Sequence, residues 1–425
     1  MPRSLIGRLR QRAVRSFFMN FFSLLLIAIS LSQWCILWWL APRWVTALPP
    51  AAQLVAPAFI YVFNRWQVTR VQRQRRSRDP VTGLPRLYYA YAFTCLFGTT
   101  FLLLAGAGWV ATRVFVGALA VQAGTSQAGL VVDSSIDSAF RWLANGGLCV
   151  IGVAFAYGYT IGQRRLRVRR LSLPLRAAPA ALDGLRIAQI SDIHIGQNLE
   201  IGQLEQFVAE VNALAADLVC ITGDIIDAPS ADVEAFLPVL ARLRARHGVF
   251  AILGNHDHYA GADRVEVALR RLTPFTVLRD QRASVAIAGT QLHVIGLDDR
   301  GRDWARGVTT APYLTTALAE LPADGPVLLL CHRPDIFPHA AANGVGLTLS
   351  GHTHGGQLGV PWFGGRVRNL AEFITAFDRG LYERSGSYLY VNSGLGVTGQ
   401  RIRLCTPREI TVIEVRGGAA GQLAA

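Results

Sequence analysis

Residues 347–357 read Leu-Thr-Leu-Ser-Gly-His-Thr-His-Gly-Gly-Gln. A short strand-forming run passes directly into a glycine-rich turn that carries two histidines. Short apolar runs bounded by turn signals read as buried strands. In open α/β sheets, ligands gather at the carboxyl ends of such strands. The same grammar recurs along the chain. Residues 185–194 are Leu-Arg-Ile-Ala-Gln-Ile-Ser-Asp-Ile-His, and 218–224 are Leu-Val-Cys-Ile-Thr-Gly-Asp. Residues 249–257 are Val-Phe-Ala-Ile-Leu-Gly-Asn-His-Asp, and 327–332 are Val-Leu-Leu-Leu-Cys-His. Five predicted strands thus end in Asp192 and His194; Asp224; Asn255, His256 and Asp257; His332; and His352 with His354. Six of the nine histidines (194, 256, 258, 332, 352 and 354) lie at or beside these ends.

Between the strands the pattern turns helical. Leu199, Ile201, Leu204, Phe207, Val208, Val211 and Leu214 recur at helical spacing. Further helices are predicted near 232–246 and 263–272, and later strands at 284–288, 291–295, 388–392 and 410–415. Strands alternating with helices, followed by strands in succession, predict stacked sheets covered by helices.

Carboxylate, amide and imidazole ligands without a thiolate suit Mn, Fe, Zn or Mg. The set is too large for one tetrahedral ion, and two ions sharing a bridging Asp would use all of it. Glycines beside the ligands permit tight turns and close backbone approach.

The N-terminal third has a different character. Four apolar runs, 17–41, 47–63, 87–110 and 142–162, come close to the roughly 20 residues that a membrane-spanning helix requires. Residues 1–170 hold 20 Arg and 3 acidic residues, whereas 171–425 hold 22 Arg and 25 acidic residues, and the chain contains no Lys. The basic balance therefore belongs to the membrane part. The C-terminal part lacks the basic face expected of a nucleic-acid-binding domain. Arg clusters at 3–15, 65–78 and 164–170 fall on one side of a four-span arrangement, the cytoplasmic side by the positive-inside rule. The C-terminal domain leaves from that side, which predicts an integral protein of the cell (inner) membrane with its catalytic domain in the cytoplasm. The expected boundaries are a helical membrane domain at 1–170, a linker at 171–182, an α/β domain at 183–416 and a disordered tail at 417–425. The six Cys contain no CxxC pair and do not form a disulfide framework.

The blocks Ser-Asp-Ile-His (191–194), Gly-Asp (223–224), Gly-Asn-His-Asp (254–257), the lone His332 and Gly-His-Thr-His (351–354) resemble, in order, those of the calcineurin-like metallophosphoesterases. Residues 350–357 and the ending Tyr-Val-Asn-Ser-Gly-Leu-Gly (390–396) are most similar to the membrane-associated YkuE/YaeI-like branch. The resemblance implies a four-layer α/β/β/α sandwich of two mixed sheets. It implies that Asp192, His194 and His354 hold one divalent ion and that Asn255, His332 and His352 hold another, with Asp224 bridging. It places His256 beside the leaving group, with Asp257 orienting it. The sequence departs from the branch at Arg333 and at Asn392–Ser393. Arg333 stands either as a phosphate contact or as a surface residue beside Pro334.

The implied activity is cleavage of a phosphate diester, monoester or pyrophosphate by a metal-bridged hydroxide. The bilayer location points to a phosphorylated small-molecule or lipid substrate. The alternative reading is a catalytically silent metal-binding scaffold, or the regulatory domain of a membrane sensor. The apolar runs contain no Asp, Glu or Lys of the kind that marks a transport path.

Overall fold

The computed structural model describes residues 5–76, 83–122, 126–196, 198–227, 231–299, 311–322 and 325–417. The expected disordered tail lies outside them except for Gly417. The chain forms two compact units, which divide between Ala156 and Tyr157.

The first unit is helical: α1 (Leu5–Leu40), α2 (Pro42–Thr46), α3 (Pro50–Arg76), α4 (Leu84–Gln122) and α5 (Ser126–Thr160), whose last turn belongs to the second unit. Among the described residues three stretches are long and apolar enough to cross a membrane: Ser23–Leu40, Leu84–Gln122 and Ser135–Arg164. Three of the about four expected spans are thus found by length and composition. The run at 47–63 lies largely in α3, which contains Pro57 and the polar residues Gln53, Asn64 and Gln67. The polar residues have a structural use. Asn64 Nδ2 donates to Ser30 Oγ and to Gln33 Oε1, both at 2.8 Å, and Asn64 Oδ1 accepts from the Tyr88 hydroxyl at 2.6 Å. Such bonds tie helices together where neighbouring surfaces are uniformly apolar, here α3 to α1 and α4.

The second unit contains β1 (Leu166–Pro174), β2 (Arg186–Ile190), α6 (Ile201–Ala213), β3 (Leu218–Thr222), α7 (Val233–Leu240), β4 (Val249–Ile252), α8 (Asn255–Leu272) and β5 (Thr276–Val277). It continues with β6 (Gln281–Ile287), β7 (Thr290–Gly296), α9 (Pro312–Ala319), β8 (Val327–Leu330), α10 (Phe337–Ala342) and β9 (Leu347–Ser350). It closes with β10 (Gly359–Pro361), β11 (Val367–Asn369), β12 (Gly380–Arg384), β13 (Ser387–Val391) and β14 (Arg408–Arg416). Two six-stranded sheets result, in the orders β1-β14-β2-β3-β4-β5 and β12-β13-β9-β8-β7-β6, with β10 and β11 as a separate pair. Both are mixed: β2, β3, β4 and β5 run parallel beside an antiparallel β14, and β13, β9, β8 and β7 run parallel between antiparallel β12 and β6.

The central strands are predominantly apolar, and β4 and β8 wholly so, because both of their faces are covered. One apolar cluster joins the two sheets, with Ile187, Cys220 and Ile252 meeting Val294, Leu328 and Leu349. A second packs α6, α7 and α8 on the first sheet through Leu204, Leu237 and Leu269. A third packs α9 and α10 on the second through Leu314 and Ala340. The turn between β6 and β7 is Ala288-Gly289, both at positive φ, as a two-residue hairpin requires.

The linker expected at 171–182 is different in the structure. Leu166–Pro174 is an edge strand that pairs in parallel with β14, Leu166 opposite Arg408. Its Arg-rich run therefore belongs to the sheet, and charge on an edge strand blocks pairing with other chains.

Candidate metal centre

The strand ends carry the polar residues as the sequence pattern predicts. Hydrogen bonding continues past β2 and β3: the Asp192 amide donates to Gly223 O and the His194 amide to Asp224 O, each at 3.0 Å. Across the second sheet, the Gly351 amide donates to His332 O at 3.0 Å. Asp192, His194, Asp224, His352 and His354 all have φ between +50° and +71°. Non-glycine residues in this region are strained, and such strain clusters at functional sites. Gly351 is required by space: a Cβ there would overlap Ser191 Oγ and Asp192 Oδ2.

Potential ligand atoms converge in overlapping groups. Those of Asp192, His194, Asp224 and His354 lie within 4.8 Å of one another, as do those of Asp224, His332 and His352. Asp224 is common to both. Its Oδ1 accepts from the His256 amide at 2.8 Å, which leaves Oδ2 facing His194 Nε2 at 3.6 Å and His332 Nε2 at 3.3 Å. Asp192 is held by the His352 amide at 3.0 and 3.1 Å and lies 3.4 Å from His354 Nε2. Asn255, the first residue of α8, is buried, and its Oδ1 has no hydrogen-bond partner.

The tautomers test whether cations fit. His332 Nδ1 donates to Thr222 O at 2.7 Å, so in the neutral ring Nε2 is an acceptor, yet it faces a carboxylate oxygen and, at 3.3 Å, His352 Nδ1. His194 Nδ1 donates to Asp227 Oδ1 at 3.1 Å, which turns its Nε2 lone pair toward His354 Nε2 at 3.0 Å and Asp224. Acceptors facing acceptors in a buried site, together with the orphaned Asn255 oxygen, fit a pair of cations. Such imidazoles ligate in the neutral form, with the second nitrogen fixed by a carbonyl or carboxylate.

Without cations, the carboxylates draw a proton onto His332 instead. Burial opposes charge on His332, but Asp224 outweighs it and raises the pKa to about 10. Burial would raise Asp224; His332 and His194 reverse this and hold it well below the ordinary range. Burial raises Asp192, and the neighbouring Asp224 adds to the shift. Burial lowers His352 to about 3, helped by His332, and lowers His354, helped by His194.

His256 lies at the rim, its side chain 25% exposed. The expected orienting role of Asp257 is corrected by the structure. The Asp257 carboxylate accepts from the amides of Ile225, Ile226 and Gly254 at 3.1, 2.7 and 2.9 Å, and so fastens the Asp224 loop to the start of α8. The carboxylate beside His256 belongs to Asp227, whose Oδ1 is 3.0 Å from His256 Nδ1 and 3.1 Å from His194 Nδ1. Burial works against charge on His256, but its hydrogen bond to Asp227 and the charge of Asp224 prevail and raise it to about 9. Sequence reasoning passed over Asp227. Its only signal is a carboxylate three residues after the Gly-Asp block, on a loop bridged at Ile195 and Ile226. Arg333 is buried, with Nε donating to Asp299 Oδ2 at 2.7 Å, so its reading as a surface residue does not hold.

Residues 185–356 match the family model described as calcineurin-like phosphoesterase. The chain is 30% identical over 280 residues to the uncharacterized metallophosphoesterase YkuE of Bacillus subtilis, covering 65% of this chain and 94% of that protein. This chain belongs to the calcineurin-like phosphoesterases. The family is dinuclear and metal-dependent, and the phosphoesterase described here is accordingly a metal-dependent hydrolase of phosphate esters. A Danio rerio relative, transmembrane protein with metallophosphoesterase domain, is 29% identical over 275 residues, which is 63% of this chain and 62% of the relative. Among solved structures, a dimetal phosphatase from Danio rerio matches with a TM-score of 0.36 and 14% identity, covering 55% of this phosphoesterase and 93% of that chain.

Proposed function

We propose that the chain is a membrane-anchored two-metal phosphohydrolase in which Asp192, His194 and His354 hold one divalent ion, Asn255, His332 and His352 hold the second, and Asp224 bridges. One observation carries this reading: Asp224 Oδ2 faces His194 Nε2 at 3.6 Å and His332 Nε2 at 3.3 Å, so that one oxygen serves both nitrogen sets. The donor set suits Mn, Fe, Zn or Mg. When bound, two such ions lower the pKa of water and draw charge from a phosphoryl group.

The chain's own side chains do the rest. His256 takes a proton on Nε2 at neutral pH, with Nδ1 fixed by Asp227, and donates it to the departing oxygen. General-acid help of this kind is worth roughly 10²–10⁴-fold. Burial of the ligands keeps bulk water from competing with the phosphate for them.

The fold is read as a four-layer α/β/β/α sandwich, supported by the three apolar clusters. We take α3 as a fourth crossing, because four crossings keep the Arg clusters on one side. The catalytic unit then faces the cytoplasm at the inner membrane, and a lipid-linked phosphate is the favoured substrate. The full chain in nanodiscs should hydrolyse a chromogenic phosphodiester or monoester with Mn²⁺, lose that activity with chelator, and be slowed by His256→Ala with metal retained. Retained metal without turnover of either ester would favour the silent scaffold, and absence of bound metal would sink the reading.

A further inference from the structure

The hairpin that follows the last histidine motif is apolar where it meets solvent. Phe363 and Phe373 are each 85% exposed, and Val360, Trp362, Leu370 and Ile374 are exposed beside them. Soluble surfaces rarely gather large apolar side chains in this way unless something binds there. Arg366 and Arg368 are exposed in the same stretch, Arg368 with its Nε on Glu372 at 2.7 Å. Aromatic and aliphatic tips flanked by guanidinium groups form the pattern of elements that lie in a membrane interface.

The hairpin's root says which surface it meets. Leu404 donates to Gln357 O, and Gly359 donates to Leu404 O, both at 2.8 Å. The neighbouring Arg403 amide donates to Gly158 O at 3.3 Å, and Ile402 packs on Gly158. Gly158 lies in Ser135–Arg164, the last membrane-length stretch, and only Arg165 separates that stretch from β1. The hairpin is therefore rooted beside Gly158, where the chain enters the catalytic unit from an apolar helix.

The other side of the root is the metal centre. His354 opens the short turn His354–Gly356, and Gly356 lies against Asn369 and the amide of Leu370. Asn369 donates to Asp378, whose carbonyl accepts from the hydroxyl of Thr353, and Arg379 donates to Val367 O at 3.0 Å. Hairpin and ligand loop are thus joined by hydrogen bonds.

We propose that residues 359–374 form a bilayer-contacting element, with Trp362, Phe363, Phe373 and Ile374 entering the interface of an anionic membrane and Arg366 and Arg368 meeting lipid phosphates. Its use, which rests on the phosphohydrolase reading, is to bring lipid headgroups within reach of the ligand cluster.

The test uses the full chain in vesicles of phosphatidylcholine and phosphatidylglycerol in equal parts. A photoreactive benzoylphenylalanine replaces Phe363, Phe373 or, as an exposed control on α8, Val267. Lipid adducts at 363 and 373 but not at 267 are expected. No adduct at either position, or adducts to a second protein chain, would overturn the proposal. Adduct formation needs no turnover, so its failure leaves the hydrolase reading untouched. In a second arm, Trp362→Ser with Phe363→Ser should slow hydrolysis of a vesicle-borne lipid phosphate by roughly a hundred-fold, since two aromatic side chains leave the interface and each is worth roughly ten-fold or more. A water-soluble ester should be cleaved at the original rate. Equal loss on both substrates, or no loss on either, would count against membrane contact.

Discussion

Asp227 Oδ1 lies 3.0 Å from His256 Nδ1 and 3.1 Å from His194 Nδ1, so that one carboxylate fixes both the proposed acid and a proposed metal ligand. Its charge is stabilised by these two bonds: burial would raise its pKa, and His194 and His256 bring it below the ordinary range. Asp227→Asn should reduce kcat by roughly 10–100-fold, the usual cost of losing an outer partner of a metal-site histidine. His256 would also lose the interaction that raises its pKa to about 9. Its proton would then leave at lower pH, and the alkaline limb of the kcat profile should move toward neutrality, most visibly with poor leaving groups. A profile of unchanged shape in Asp227→Asn would break the assignment.

Metal removal should destabilise the catalytic unit, because the folded chain holds Asp192, Asp224 and four buried or half-buried imidazoles in one small volume. A ligand at a hundred times its Kd contributes about 2.7 kcal/mol. For a unit of this size that corresponds to a Tm fall of roughly 5–10 °C on chelation. Scanning fluorimetry of the full chain with EDTA, then with excess Mn²⁺, measures it. In Asp224→Asn the chelator should cause little further change; a full-sized shift there would mean that Asp224 is not the shared ligand.

The ligand-bearing half of the fold was legible for a physical reason. Buried parallel strands such as Val327–Leu330 are uninterrupted apolar runs, and the functional residue is the first polar one past the end. The bounds Leu218–Thr222 and Leu347–Ser350 match the structure because a Gly follows each short run directly and ends it, even though Thr222, Thr348 and Ser350 are polar. The misreadings also have physical causes. Asp257 follows His256 in the chain, yet on α8 its carboxylate turns back to three amides, a cap that adjacency cannot reveal. Asp227 reaches His256 only through the fold. In β1, Arg167, Arg169 and Arg170 mimic a topology signal, and the alternation of Leu166, Val168, Leu171 and Leu173 is too broken to announce a strand. In α3, Asn64 looks foreign to a membrane bundle until its partners Ser30, Gln33 and Tyr88 are seen.

Arg403 is fully buried, and its guanidinium donates to the carbonyls of Ser393, Gly394, Gly396 and Thr406 at 2.7–3.1 Å. The loop it gathers pairs with the backbone of the ligand strand: Leu395 N donates to Ser191 O and Gly396 N to Asp192 O. Arg403→Leu would leave these carbonyls without their donor, at roughly 1–3 kcal/mol for each that stays unsatisfied. We expect a lower denaturation midpoint and weaker metal uptake, beginning with the ion that Asp192 would hold. Metal titration followed by elemental analysis would show one ion lost before the other; simultaneous loss of both would mean that the loop supports the whole fold and not the Asp192 side.

Arg279 joins α8 to the loop after β7, donating to Glu266 at 2.6 Å and to Asp298 at 3.1 and 3.2 Å. Burial raises both carboxyls. Arg279 with Arg270 reverses this for Glu266, and His258 with Arg279 reverses it for Asp298, so both titrate below their ordinary values. A folded pKa below the unfolded one means that the unfolded chain binds more protons in between. The stabilisation is therefore complete above about pH 4–5, near the unfolded values, and is lost as pH falls through the folded values. Arg279→Met should cost roughly 1 kcal/mol at pH 7, the upper range for partly exposed pairs, and the deficit should shrink toward zero as the pH is lowered past 4. Urea midpoints of metal-free protein and variant at pH 7, 5 and 3 decide it. A deficit that stays constant across that range would assign the loss to the packing of the Arg279 stem, and one that grows toward acid would contradict the sign of both shifts.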